Sequence, residues 1–328
     1  MRVFAFEHIT GGGMLDDPLM SALAPDGDRM LRALVDDLLA IPGVDVAVMR
    51  DPRLQRDIPA TMFVPQSPGG FRTLFREVAR ACDAVWPIAP ESGDILLRTT
   101  IEALASGRRL LGCRPDAVAV ASSKAATAGI LARAGIAVVP CHASEAQIPE
   151  RITALVVKPD DGAGCQDTLL FRDRDTLRQW LGEHGTGGRV VQPYVHGDAR
   201  SLSLVCCDGS AKLLACNRQD IRIEDGVFRY GGVHVNAIAD ADDRYAQLAA
   251  AIARALPGLW GYCGVDFIET AQGPVVVEVN PRLTTAYAGL RAAIGANPAQ
   301  LVLGLPGSLA AHVPAVPKFM ESGMTDGI

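Results

Sequence analysis

The sequence predicts a mixed α/β and α+β fold: an N-terminal domain built on a parallel sheet, then two α+β subdomains. Three observations lead there. Strand-like and helix-like runs alternate through the first third of the chain. From residue 189 onward strands dominate instead. The length, 328 residues, suits two or three packed units rather than one small domain.

Residues 2–7 read as a first strand. Residues 28–41 carry apolar side chains at the helical period and stop at Pro42-Gly43. Residues 44–49 are rich in β-branched side chains, and a helical stretch at 71–82 leads into a short strand at 83–88. A helix at 92–106 follows, with Ser92 as its N-cap, and then Leu110-Leu111-Gly112. Alternation of this kind builds right-handed βαβ units, here over 1–112. A second unit spans 113–188: a helix at 123–134, a strand at 136–139, an apolar strand at 152–158, then another strand and helix to about 182. The third, 189–305, has strands at 189–195, 200–206, 211–216, 262–269 and 274–279, with helices at 243–255 and near 283–294. The tail, 306–328, carries Pro306, Pro314 and Pro317 and reads as a loosely ordered terminus.

Composition narrows the function classes. Apolar residues make up 49% and charged residues 21%, an ordinary globular balance. The net charge of −6, with mixed signs throughout, leaves no basic footprint and argues against nucleic acid as a partner. No apolar run reaches the ~18 residues of a membrane helix. The opening Met1-Arg2-Val3-Phe4-Ala5-Phe6-Glu7 is too short and too soon acidic for a signal peptide. The eight cysteines form no CxxC pair and read as small core residues in a reducing cytoplasm, without structural zinc. Only Lys124, Lys158, Lys212 and Lys318 are lysines among 31 basic residues, so a lysine at a motif position stands out.

The strongest chemical signal is VVVEVNPRL at 275–283. Positions i and i+2 of a strand share a face, so Glu278 and Asn280 project together. Asp266, in the strand GYCGVDFIE, can join them from an adjacent antiparallel strand. Two carboxylates and an amide are hard oxygen donors that suit Mg²⁺, with Mn²⁺ as an alternative. Arg282 falls on the same side and can stabilise charge on a transferring phosphoryl group. A single acid at a strand end is usually just solvated; the combination argues otherwise.

Lys158 closes a buried strand and runs into PDDGAG, where Gly162 and Gly164 let backbone N–H groups approach a phosphate. Alone this would be a turn with a solvated lysine, but Lys124 at an earlier helix start supplies a second scarce cation. Neither GxxxxGK[ST] nor GxGxxG is present. The run VVQPYVHGD offers backbone groups and Gln192 to an adenine edge, and Asp198 to a ribose hydroxyl. Arg218, after strand 211–216, can reach a terminal phosphate. Phe228-Arg229-Tyr230-Gly231-Gly232 reads as a turn near substrate.

In this order the features resemble the ATP-grasp superfamily over roughly 113–305, with 1–112 similar to that family's preceding α/β domain. The resemblance implies an ATP cleft between two α+β subdomains, with two Mg²⁺ ions. Lys124 and Lys158 would contact nucleotide phosphates, and Gln192, Tyr194 and Val195 would border adenine. Arg218 and Arg282 would meet the γ-phosphate or an acyl phosphate, and Asp266, Glu278 and Asn280 would hold metal. Two departures stand out: Gln192 where many members have Glu, and Ala199 where the ribose acid is often found, with Asp198 beside it.

The runs FEHITGGG, IAPESGD, NRQ…YGG and EVNPRLTTAYAGL look like the carboxylate–amine ligase branch, and most like tyramine–glutamate ligases of methanofuran-type cofactor synthesis. That implies glutamate as acyl donor and tyramine or a related aromatic amine as acceptor. Glu7, His8 and the Gly11-Gly12-Gly13 loop would then border substrate, with Glu91, Thr284, Thr285 and Tyr287. Glu7 also ends the first parallel strand, where such sheets bind ligands. The family often dimerises, though no coiled coil or symmetric patch shows in the sequence. A regulatory nucleotide-binding protein, or a ligase with another acceptor, stays open at this level.

Overall fold

The computed structural model describes residues 1–17, 23–162 and 164–306. Beyond Pro306 the expected tail lies outside the described residues. The first sheet holds five parallel strands: β1 (Arg2–Glu7), β2 (Asp45–Met49), β3 (Thr61–Phe63), β4 (Ala84–Ile88) and β5 (Arg109–Leu110). Helices α1 (Ala24–Leu39), α2 (Pro68–Arg80) and α3 (Ile95–Ala105) connect them. Because helices cover both faces, β1 is buried from Val3 to Glu7 and shows no polar alternation. Within this sheet the three-residue strand β3 is the element the sequence did not announce.

Strand order is β3-β2-β1-β4-β5, so the winding reverses between β1 and β4. The crevice at such a reversal, beyond the carboxyl ends of the strands, is where these sheets take ligands. Glu7 and His8 end β1 there, and Ala89 to Glu91 follow β4. Ser92 is not the N-cap of α3. A short turn, Ser92–Asp94, intervenes, and Asp94 occupies the cap position with left-handed backbone at φ 58°.

After α4 (Pro115–Ala121) and α5 (Lys124–Arg133), an eight-stranded sheet forms. Its strands are β6 (Leu155–Pro159), β7 (Leu169–Phe171), β8 (Arg189–Pro193), β9 (Asp198–Cys207), β10 (Ser210–Glu224), β11 (Val227–Ile238), β12 (Gly261–Thr270) and β13 (Gly273–Asn280). The order is β13-β12-β9-β10-β11-β7-β6-β8. Helix α6 (Arg174–His184) joins β7 to β8, and α7 (Arg244–Ala255) precedes β12. The expected strand at 136–139 is reduced to a bridge between Val138 and Val276, and His142 bridges Val191 of β8. One short segment thus touches both edge strands, and the sheet wraps around the space it encloses.

The largest difference from expectation is the β10–β11 hairpin. Strand β10 continues past residue 216 to Glu224, turns at Asp225-Gly226 and returns as β11. Both turn residues have positive φ, 51° and 78°, the backbone that a two-residue hairpin favours. Gly231 and Gly232 therefore lie inside a strand, opposite Asp220, rather than in a turn.

The chain then returns to the first domain through α8 (Tyr287–Ile294) and α9 (Pro298–Leu303). Leu290 and Val302 share one core with Val3, Leu31 and Leu34, which locks the crevice of the first sheet against the mouth of the second. Among the described residues no helix is long and apolar enough to cross a membrane.

Candidate active site

The acidic face forms where β12 and β13 pair. Asp266 stands opposite Glu278, and Gly264 opposite Asn280, so all three polar side chains share one face. A bulge between Asp266 and Phe267 puts one extra residue, Val277, into β13, and Val277 and Glu278 both line the cleft. Gly264 is required by packing: a Cβ there would lie 2.5 Å from the Thr284 methyl. Asn280 Nδ2 donates to Asp266 Oδ2 at 3.3 Å, and Gln219 Nε2 donates to Asp266 Oδ1 at 3.1 Å.

Electrostatics separate the two acids. Burial, then the charge of Glu278, pushes the Asp266 carboxyl well above the usual range. Burial alone would also raise Glu278, but Lys124 and Lys158 outweigh it and hold that carboxyl low. Lys124 Nζ lies 3.4 Å from Glu278 Oε2. The same ammonium donates to the carbonyls of Gly162 at 2.6 Å and Asp160 at 3.3 Å. Ser123 caps α5 through the Ala126 amide, which fixes Lys124 at the first helical position. Lys158 is buried at the end of β6, and burial lowers its pKa although Glu278 opposes this. No carboxylate lies within ion-pair distance of it among the described residues.

Beyond the lysines, the cleft runs along Gln192, Tyr194 and Val195. Gln192 is buried and its Nε2 donates to the Val139 carbonyl at 3.3 Å. The Tyr194 amide is already bonded to the Ala154 carbonyl at 2.9 Å, so only its other groups can meet a base. Asp198 does not line the cleft. It is 73% exposed and paired to Arg200 at 3.0 Å, while Ala199 and Ser201 of the same strand face inward.

The opposite wall comes from the first domain. Glu7 lines the cleft, buried, and accepts from the Thr10 amide at 2.7 Å and the Thr10 hydroxyl at 2.6 Å. Burial raises its pKa against those bonds. Gly27 of α1 lies so close that a Cβ would stand 2.8 Å from the carboxylate. Asp26 and Met30 line the same wall. Arg282 enters from beyond β13, and its Nη2 and Nε donate to Glu91 Oε2 at 2.7 and 2.9 Å. Burial would lower the Arg282 pKa, but Glu91 outweighs it and keeps the guanidinium charged. Thr284 and Thr285 border the cleft, with Thr285 bonded to the Tyr230 hydroxyl at 2.7 Å.

Six further expected site residues stand elsewhere. Arg218 is exposed on the far face of β10, because strand alternation gives the inward position to Gln219. Gly231 and Gly232 flank the true lining residues Tyr230 and Val233. Gly12, at φ 96°, packs against Pro65 instead. Tyr287 is a core residue, edge-on to Tyr262 at 5.3 Å. His8 also lies off the cleft, boxed by Phe6 and Phe71. Of the cysteines expected in the core, Cys165 lines the cleft, and burial, then Glu278 and Asp266, push its thiol up to about 12. Asp26 and Gln219 are among the polar lining residues that the sequence did not single out, and Tyr230 reaches the cleft from a strand rather than from a turn.

His8 yields a stability prediction. Burial, then Arg72 and Arg98, lowers its pKa from 6.5 to about 4. The unfolded chain takes up the proton first, so this stability is complete above pH 6.5 and is lost as pH falls toward 4. The loss should reach about 2 kcal/mol between pH 7.5 and 5. Urea midpoints of the parent and of His8→Gln at both pH values check this; equal pH dependence in the two would remove His8 as the cause.

Comparison with known proteins agrees with this geometry. An ATP-grasp domain family model matches residues 121–286, and a pre ATP-grasp 3 domain model matches residues 44–118. A Methanocaldococcus jannaschii protein named tyramine–L-glutamate ligase is 28% identical over 204 residues, which span 62% of this chain and 57% of that one. Its namesake from Methanocaldococcus fervens is 25% identical over 295 residues, 88% of this chain and 89% of that one. The chain thus spans little more than half of the first relative's length and most of the second's. A crystal structure of an ATP-grasp superfamily protein from Archaeoglobus fulgidus superposes with a TM-score of 0.71 at 24% identity, covering 93% of this chain and 88% of that one. The chain belongs to the ATP-grasp family.

Proposed function

We propose that this protein is an ATP-dependent ligase that joins a carboxylate to an amine through an acyl phosphate, releasing ADP and phosphate. One observation carries the reading: two buried lysines, a half-buried pair of facing acids and a half-buried arginine converge on one cleft, opposite a second acidic wall. Cations at one point and paired carboxylates at the next are what a polyphosphate with a divalent ion requires.

The residues fit such an ion. Asp266 and Glu278 face each other so closely that their charges interact, and Asn280 adds an amide. Among the described residues no three His, Cys, Asp or Glu side chains form a metal cluster, so the protein's donors would be these two acids and the amide. When bound, Mg²⁺ would neutralise phosphate oxygens and leave other coordination positions to the nucleotide.

In this reading Lys124 and Lys158 place compact charges on the phosphates, and Gln192 to Val195 border the base. The donor carboxylate attacks the terminal phosphorus, the bond to the ADP oxygen breaks, and Arg282 offsets charge on the transferring group. The neutral amine then attacks the acyl carbon, and phosphate leaves with one former carboxylate oxygen. No protein nucleophile is required; catalysis rests on positioning and charge neutralisation.

Glutamate is our proposed donor and tyramine or a similar aromatic amine our proposed acceptor. The names of the two relatives support this. So does the first-domain wall, where Ile9, Leu23, Met30 and Ile88 form an apolar surface beside the acids Glu7 and Asp26. An ADP-release screen over amino acids and amines tests the proposal. Release that needs ATP, one carboxylate and one amine together supports it; silence across the panel from folded protein contradicts it.

A further inference from the structure

The loop that follows β6 is fastened across the two sheets, and we propose that Asp161 is its latch. Asp161 holds the loop shut on the Ser92–Gly93 turn, and through Glu91 the same turn carries loop closure to Arg282. The coupling to phosphoryl transfer rests on reading the cleft as an ATP site.

Asp161 Oδ2 accepts from the Gly93 amide at 2.8 Å, and the Ser92 hydroxyl donates to the Asp161 carbonyl at 3.1 Å. These partners lie 68 and 69 residues apart in sequence. On either side of Asp161, the carbonyls of Asp160 and Gly162 accept from Lys124 Nζ, which also lies 3.4 Å from Glu278. The receiving turn begins at Glu91, whose carboxylate binds Arg282 at 2.7 Å. A continuous path therefore runs from Glu278 through Lys124, the loop and the turn to Arg282. The turn places Gly93 and Asp94 in succession at φ 59° and 58°. A side-chain-bearing residue persists in that conformation where its surroundings over-determine it, as a docking turn would require.

Asp161 is a positioning residue in this account: it touches neither substrate nor phosphate. Hydrogen exchange on the full ligand-free chain tests it. In Asp161→Ala, amides at 160–162 and 91–94 should exchange about tenfold faster, while those of β12 stay protected. Asp161→Asn keeps an acceptor oxygen and should stay near the parent; Ser92→Ala removes one of the two bonds and should give a smaller rise in the same segments. Binding of an unhydrolysable ATP analogue should weaken about tenfold in Asp161→Ala. Adding Glu91→Gln should then cost less than the sum of the single effects, because both act through one turn. Unchanged exchange in both segments, with β12 intact, overturns the latch. Additive losses overturn the coupling to Arg282. A parent that binds no analogue refutes the functional reading, and exchange still decides the latch.

Discussion

Arg282→Met should cost about 3–5 kcal/mol of stability and lower turnover by about a thousandfold or more. Both effects come from one contact. Arg282 and Glu91 are 12% and 7% exposed at the side chain, and one carboxylate oxygen receives two guanidinium bonds. The other oxygen, Oε1, is buried without a partner among the described residues, so Glu91 depends on this arginine for its charge balance. Removing the guanidinium leaves an uncompensated buried carboxylate, which is costlier than removing the pair. Arg282→Met combined with Glu91→Gln should therefore recover most of the stability and none of the turnover. Chemical denaturation and ADP release measure the two quantities separately. A stable, active Arg282→Met protein would refute both roles at once.

Glu278→Gln should abolish turnover, about a thousandfold or more, with little change in fold. The substitution keeps the shape of the side chain and its place opposite Asp266 on the paired strands. It removes the charge that Lys124 meets at 3.4 Å and that holds the metal-capable face together. The like-charge interaction that pushes Asp266 up disappears as well, so the variant need not be less stable. Normal turnover in Glu278→Gln would remove these acids from the chemistry.

The acidic face was legible because its signal is local. Glu278, Asn280 and Arg282 sit at alternate positions of one run, and only the partner strand of Asp266 had to be inferred. Lys124 and Lys158 were visible through the scarcity of lysine. The length of β10 was not. Its strand was read as ending at 216 with Arg218 beyond it, whereas β10 runs on to Glu224 and its alternation turns Gln219, not Arg218, toward the cleft. Asp225-Gly226 did carry the hairpin signal, and using it would have placed Tyr230 in a strand facing the cleft. The contact of Glu91 with Arg282 joins residues 191 positions apart and leaves no local trace.

In the proposed reaction a carboxylate is activated by phosphoryl transfer and then captured by an amine. Oxygen-isotope transfer tests it most directly. The donor found in the screen is labelled with ¹⁸O in its carboxylate and incubated with ATP, Mg²⁺ and the amine. ADP and inorganic phosphate carrying one labelled oxygen from the donor are expected, in step with amide formation. Unlabelled phosphate, or label recovered in AMP, would contradict it.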